Sequence, residues 1–406
     1  MDNITHALQG IKVLDLTRVL GGPYATQILA DHGAEVIKVE PEFGDEVRDW
    51  GPPFNDSIAA YYINLNRNKK LISIDLRQKQ GQDIILKLLE DSDVLIENFK
   101  TGTMENWGLG FEDVLSKKFP KLIHCRISGF GSDGPLGGYP GYDVIIQAMA
   151  GMMSINGMPD SGTVRIGAPI VDMGTGLYST IGILMALQER NISGQGQFID
   201  MTLYDSAIAL MHPYNANYLL SGVPGTPTGN DHPNISPYGK FKTGTNEIVI
   251  MIGNNNGFAK LCNELGLEQL LSDSKFINNS DRVQNRDELN QLIENALKDV
   301  DGGEFSEKLL SAGIPAGPVR NIQQALDHPH TEHRNMKMVE GTYQGISSPI
   351  KFSRSKNAGV KITPSTIGNN TREILLSIGY DNSTIEEMLT TGVVSENKED
   401  NNNTQQ

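Results

Sequence analysis

Short apolar runs alternate with longer amphipathic ones through the first 130 residues of the chain. Residues 11–16, 35–39, 71–76, 94–96 and 122–128 are nearly continuous apolar stretches, the pattern of strands covered on both faces. Between them, residues 23–31 open on a proline suited to a first helical turn, and residues 79–90 repeat at helical spacing. Strands that alternate with helices predict parallel βαβ units and an α/β fold with a doubly wound, Rossmann-like parallel sheet.

The pattern changes beyond residue 142. Residues 142–209 are rich in Gly and Met and hold a strong helix, 175–189, with Gly194 and Gly196 after it as stop signals. Residues 221–237 gather Gly, Pro, Asn and Asp without periodicity and read as a connection. A second compact pattern then runs to about residue 325, opening with a strand at 247–252. Beyond Pro329 the chain is irregular, with 350–353 and 374–378 as its clearer elements. Residues 396–406, rich in Asn and Gln, are expected to be disordered.

Composition narrows the partners. Among 406 residues, 49 acids against 34 bases give a net charge of −15, which opposes binding to phosphate backbones and anionic lipid surfaces. Nucleic acid and membrane are therefore not expected partners. No run of about 18 apolar residues marks a spanning helix, and the first residues carry no signal-peptide pattern. The two cysteines, Cys125 and Cys262, are too far apart to read as a metal or disulfide framework, so a reduced, cytoplasmic setting is expected. The eight histidines show no metal-ligand spacing with Asp or Glu, and no metal is expected.

Candidate chemistry clusters at strand ends. The turn Thr17-Arg18-Val19-Leu20-Gly21-Gly22-Pro23 lets a backbone approach a ligand but lacks the G-x-G-x-x-G spacing of dinucleotide folds. Asn66, Arg67, Asn68, Lys69 and Lys70 form the densest basic cluster, suited to phosphate or to a solvated turn. Asn98, Phe99 and Lys100 follow a strand, and Gly141-Tyr142-Asp143 follows a Gly/Pro-rich stretch. Asp172, in Val171-Asp172-Met173-Gly174-Thr175-Gly176, reads locally as a helix N-cap. An ionised aspartate beside small residues also suits nucleophilic attack on a carbonyl. Gly253, Asn254, Asn255, Asn256 and Gly257 read as a lid or a plain turn.

Taken in order from about Leu8 to Val394, these segments resemble the family III CoA-transferases, which include formyl-CoA, carnitine and succinyl-CoA:dicarboxylate transferases. Gly10-Ile11-Lys12-Val13-Leu14-Asp15-Leu16-Thr17, Ala34-Glu35-Val36-Ile37-Lys38-Val39-Glu40, Ser236-Pro237-Tyr238 and Ala312-Gly313-Ile314-Pro315-Ala316-Gly317-Pro318-Val319 extend the match. The resemblance implies an interlocked, ring-like homodimer acting on an acyl-CoA and a carboxylic acid, with no cofactor beyond coenzyme A itself. It also implies a large domain begun by residues 1–200, a linker at 201–225, a smaller α+β domain at 226–325 and a return over 326–395 that completes the large domain. It makes Asp172 the nucleophile, forming a mixed anhydride and then an aspartyl-CoA thioester, with Tyr142 beside it. Val19, Leu20 and Gly21 would lie near the thioester, residues 66–70 would meet the nucleotide phosphates, and Asn98, Phe99 and Lys100 would lie nearby. Asn106 stands where many members carry arginine, and Lys100 is a candidate to supply that charge.

The related α-methylacyl-CoA racemases have histidine at the position of Tyr142, so racemisation is the weaker alternative. A CoA-binding protein without catalysis would tolerate loss of Asp172. The asparagines at 254–256, with Tyr61-Tyr62, residues 216–219 and residues 241–243, resemble the glutarate-type dicarboxylate transferases. Formyl-CoA/oxalate or carnitine-type transfer is the alternative, and Arg126 and Arg165 are candidates for a distal carboxylate.

Overall fold

In the computed structural model, residues 6–160 and 162–396 are described, and they form two compact units. The first contains residues up to Met152, then Ile166–Asn215, then the chain from Arg334. The second contains Met153–Arg165 and Ala216–His333, so it takes in a segment that the family resemblance assigns to the large domain. Residues 397–406, most of the expected disordered tail, lie outside the described residues.

The first unit is built on a seven-stranded sheet. Its elements are β1 (Lys12–Asp15), α1 (Gly21–Asp31), β2 (Glu35–Glu40), β3 (Lys69–Ile74), α2 (Lys79–Leu89), β4 (Val94–Glu97), β5 (Ile123–Ser128), α3 (Asp143–Met149), α4 (Ile170–Ser193), β6 (Phe198–Thr202) and α5 (Leu203–Leu210). The strand order β3-β2-β1-β4-β5-β6 is the doubly wound one, all parallel, with Val13 beside Val36 and Leu14 beside Leu95. Successive residues of β1 point to opposite faces. Val13 packs with Leu29, Val36, Ile96, Val171 and Ile183 under α1 and α4, whereas Leu14 packs with Ile72, Ile84, Leu88 and Leu95 under α2.

α4 begins five residues before the helix predicted from periodicity. It is also long and apolar enough to cross a membrane by length and composition, although its apolar residues form no continuous run in the sequence. Half of that stretch is buried inside the unit, as a core helix should be.

In the second unit β7 (Tyr238–Lys242), β8 (Glu247–Met251) and β9 (Ala316–Pro318) form an antiparallel sheet in the order β9-β8-β7. α6 (Asn255–Leu265), α7 (Arg286–Leu297) and α8 (Gly302–Ser311) help to bury Phe241, Ile248, Phe258, Phe276, Leu289, Ile293 and Leu309. The returning chain then supplies α9 (Thr371–Ser377), α10 (Asn382–Thr390) and β10 (Val394–Ser395) to the first unit. β10 lies antiparallel on β3 and ends the sheet. Residues 350–353 form no regular element.

Candidate active site

The strand order reverses between β1 and β4, and the chain leaves both at their carboxyl ends, where doubly wound sheets form their crevice. A cleft of about 290 Å³ opens there. Its lining includes Val19, Leu20 and Gly21 after β1, Asn98, Phe99 and Lys100 after β4, Tyr142 before α3, and Asp172 on α4. The structure therefore brings together residues that lie up to 153 positions apart. Two glycines allow it: a Cβ on Gly176 would sit 2.6 Å from the Gly21 carbonyl oxygen, and one on Gly21 would sit 3.2 Å from that of Asp172.

Asp172 is the third residue of α4, yet the capping side chain is another one. The carboxylate of Asp143 accepts hydrogen bonds from Val171 N at 2.8 Å and Asp172 N at 3.2 Å, and a third from Gln147 Nε2 at 2.5 Å. Asp143 thus meets the free N–H groups of the helix start. This also explains the early beginning of α4, since the cap comes from 29 residues upstream. The N-cap reading of Asp172 is corrected accordingly.

Freed from capping, the half-buried Asp172 carboxylate meets no hydrogen-bond donor among the described residues. Burial, and then the negative charge of Asp143, push it up to about 7. A carboxylate with weak solvation and no ion pair is a better nucleophile than one tied to an arginine. Tyr142 caps the other flank by position only: it is exposed, and its carbonyl accepts from Ile146 N. Tyr61, which sequence reading noted only as a likeness, lies within electrostatic reach of Asp172. Burial and the charges of Asp172, Asp143 and Asp45 push its phenol up to about 12. The signal that could have found it is the aromatic pair Tyr61-Tyr62, which sits in the short helical turn Ala60–Ile63.

A second cleft of about 330 Å³ shares Arg18, Phe99 and Lys100 with the first and runs past Leu76, Arg77 and Trp107. Phe99 and Trp107 meet edge to face at 5.1 Å. The Arg18 guanidinium and the Lys100 ammonium have no ion pair or hydrogen bond among the described residues, whereas Arg77 is held by Asp75 and Glu42. Arg18 was legible in the sequence only as part of the turn after β1, with no role of its own.

The basic cluster at residues 66–70 does not join this crevice. β3 is parallel to β2, so Asn66–Lys70 lie at its amino end, the sheet edge opposite the cleft. Four of the five are buried and already partnered. Arg67 holds Asp31 through two bonds, Lys69 holds Asp15 at 3.1 Å, Asn66 accepts from Lys69, and Asn68 bonds the Gly359 carbonyl. Lys70 is exposed and pairs with Glu373. The expectation that these residues meet phosphates is corrected: their charges serve internal acids and the returning chain.

In the second unit, Asn254 caps α6 by accepting from Gly257 N at 2.8 Å, and Asn255 accepts from Arg282 at 3.0 Å. Asn255, Asn256 and Gly257 are thus the first turn of a helix that starts just after Gly253 and Asn254. Of the distal-carboxylate candidates, Arg126 is held by Asp200 at 3.1 Å and is not free.

The comparisons with known proteins bear on the whole of this arrangement. The chain is 38% identical over 398 residues to the succinyl-CoA:glutarate CoA-transferase of Mus musculus, covering 96% of this chain and 91% of that protein. It is 40% identical over 367 residues to the succinate–glutarate CoA-transferase of Agrobacterium fabrum, covering 87% and 92%. A crystal structure of a CAIB/BAIF family protein from Brucella suis superposes with a TM-score of 0.82 at 38% identity, covering 92% of this chain and all of that one. The sequence model of CoA-transferase family III matches residues 8–371, and the chain belongs to that family.

Proposed function

We propose that this enzyme moves CoA from succinyl-CoA to a dicarboxylic acid of the glutarate class, with Asp172 as the nucleophile. The observation that carries the reading is a half-buried carboxylate freed from capping by Asp143 and left without a donor at the switch point of the sheet. The named substrates of the mouse and Agrobacterium relatives support the choice of acids.

The ionised Asp172 attacks the thioester carbonyl and expels CoA thiolate, leaving a mixed anhydride. The thiolate then attacks the aspartyl carbonyl, releasing the donor acid and forming an aspartyl-CoA thioester. The acceptor carboxylate reverses both steps: it displaces the thiolate to form a new anhydride, and the thiolate takes the acyl group and frees Asp172. Each step exchanges one acyl bond for another, so carboxylate and thioester interconvert without a large uphill step. The backbone N–H groups of Leu20 and Gly21 line the cleft, have no partner among the described residues, and suit the oxyanion of each tetrahedral intermediate. Arg18 and Lys100, at the junction of the two clefts, suit the pyrophosphate of CoA, and the Phe99–Trp107 pair suits its base.

The enzyme would act as an interlocked homodimer. α4 leaves Leu177, Tyr178, Ile181, Leu184 and Met185 exposed, a contiguous apolar face that a second chain would cover. Residues 253–257 would act as the polar substrate loop of this assembly.

Intact-protein mass spectrometry after mixing with succinyl-CoA, with and without glutarate, tests the reading beside Asp172→Ala. The expected result is a CoA-sized adduct on the native chain that glutarate discharges and the variant lacks. An adduct with formyl-, acetyl- or carnitinyl-CoA alone would keep the mechanism and replace the substrate. No adduct with any thioester would overturn covalent transfer.

A further inference from the structure

Five successive backbone groups in the turn after β1 are each met by a side chain. Thr17 N donates to Asp15 at 2.9 Å, and the Thr17 carbonyl accepts from Lys38 Nζ at 2.7 Å. Arg18 exchanges two bonds with the Asn98 amide, at 2.9 and 2.8 Å, and Val19 N donates to Asp45 at 3.2 Å. No regular ladder determines this turn; its shape comes from those four side chains. It needs them, because Val19 has a φ of +70°, a left-handed conformation that a β-branched residue resists.

Behind the turn lie two ion pairs with no exposed side-chain surface. Lys38 meets Asp45 at 3.1 Å, and Lys69 meets Asp15 at 3.1 Å. Lys69 also donates to the Pro23 carbonyl, and Asp15 accepts from Thr26, so this second pair grips the start of α1. Burial alone would push Asp15 up, but Lys69 and Lys38 outweigh it and hold the carboxyl at about 2. Buried ion pairs are a poor source of stability, since apolar residues of similar volume often fold as well or better. Two such pairs directly beneath one turn therefore point to a role in shape. The turn they hold ends at Gly21, the residue packed against the Asp172 carbonyl.

We propose that Lys38 and Asp45 are positioning residues for the transfer step, holding Val19 in its left-handed conformation so that residues 18–21 keep their place against Asp172. This rests on Asp172 being the nucleophile. The pair touches neither substrate nor reacting atoms and acts through the turn alone.

Lys38→Met and Asp45→Asn, each alone and combined with Val19→Gly, test it in the full-length enzyme, with succinyl-CoA and glutarate for turnover and calorimetry for CoA affinity. Misplacing a reacting wall by an ångström costs up to about 100-fold, so kcat is expected to fall by about 10- to 100-fold in both single variants. The CoA dissociation constant should stay within about threefold of the native value, about 0.7 kcal/mol. Glycine enters the left-handed region freely, so adding Val19→Gly should restore most of the lost kcat. If Lys38→Met fails to fold, Asp45→Asn, which keeps the same shape, decides. A folded Asp45→Asn enzyme with native kcat, a loss of CoA affinity in step with kcat, or no recovery by glycine would each overturn the proposal. A native enzyme inactive with every thioester and acid would instead sink the Asp172 reading, independently of this pair.

Discussion

Replacing Asp172 by asparagine should abolish transfer and also make the protein more stable. The native carboxyl sits at about 7 rather than 3.8, because burial and Asp143 disfavour its charged form. The sign follows from linkage. Below pH 3.8 the group is protonated in both folded and unfolded chains and makes no difference. Between about pH 4 and 7 the unfolded chain loses its proton first, so stability falls as pH rises; above pH 7 the cost is constant. That cost is at most about 4 kcal/mol, and solvent reaching the half-buried carboxyl reduces it to about 1–2 kcal/mol. Asparagine has the same shape and no charge to desolvate. Thermal melts of ligand-free native protein and Asp172→Asn from pH 3.5 to 8.5 should converge at the acid end and separate by about 1–2 °C above pH 7, with the variant higher. A difference independent of pH, or a variant that melts lower above pH 7, would refute the electrostatic account of the site.

Arg18→Ala and Lys100→Ala should each raise KM for succinyl-CoA by about 10-fold or more, the worth of a charged hydrogen bond, with a smaller change in kcat in steady-state assays. Arg67→Met and Lys69→Met should do the opposite, leaving the CoA dissociation constant near native while costing about 3–5 kcal/mol in denaturant titrations, because each strands a buried acid. Gly176→Ala should drive α1 from α4 and cost turnover by about 100-fold at most, measured beside Gly194→Ala as a glycine change remote from the cleft.

Much of the first unit was legible because parallel strands buried on two faces write themselves as apolar runs. Asp172 was legible as a motif. What was not legible came from distance along the chain. The cap on α4 arrives from Asp143, so no local pattern could separate the capping acid from the uncapped one. The cluster at residues 66–70 looked like a phosphate site because basic residues beside a strand do, and only the direction of β3 shows which sheet edge they occupy. One signal went unused: Lys38 interrupts an apolar run in a strand covered on both faces, so its ammonium had to find an internal acid. β10, two residues long, is too short to leave a periodic trace.

That short strand has a consequence for how the protein is made. β3 emerges from the ribosome early, yet its outer edge is met by residues 394–395 together with Asn370, Thr371 and Val393, all from the end of the described chain, and α9 and α10 supply Ile374, Leu375, Ile385 and Met388 to the core on that side. At about 5–20 residues per second, the nascent sheet waits roughly 15–65 s with that edge and face uncovered. An open edge invites pairing with neighbouring chains. The interval of synthesis, more than the finished fold, is where this protein has most need of a chaperone, and truncations near its carboxyl end should appear first as aggregation in cells.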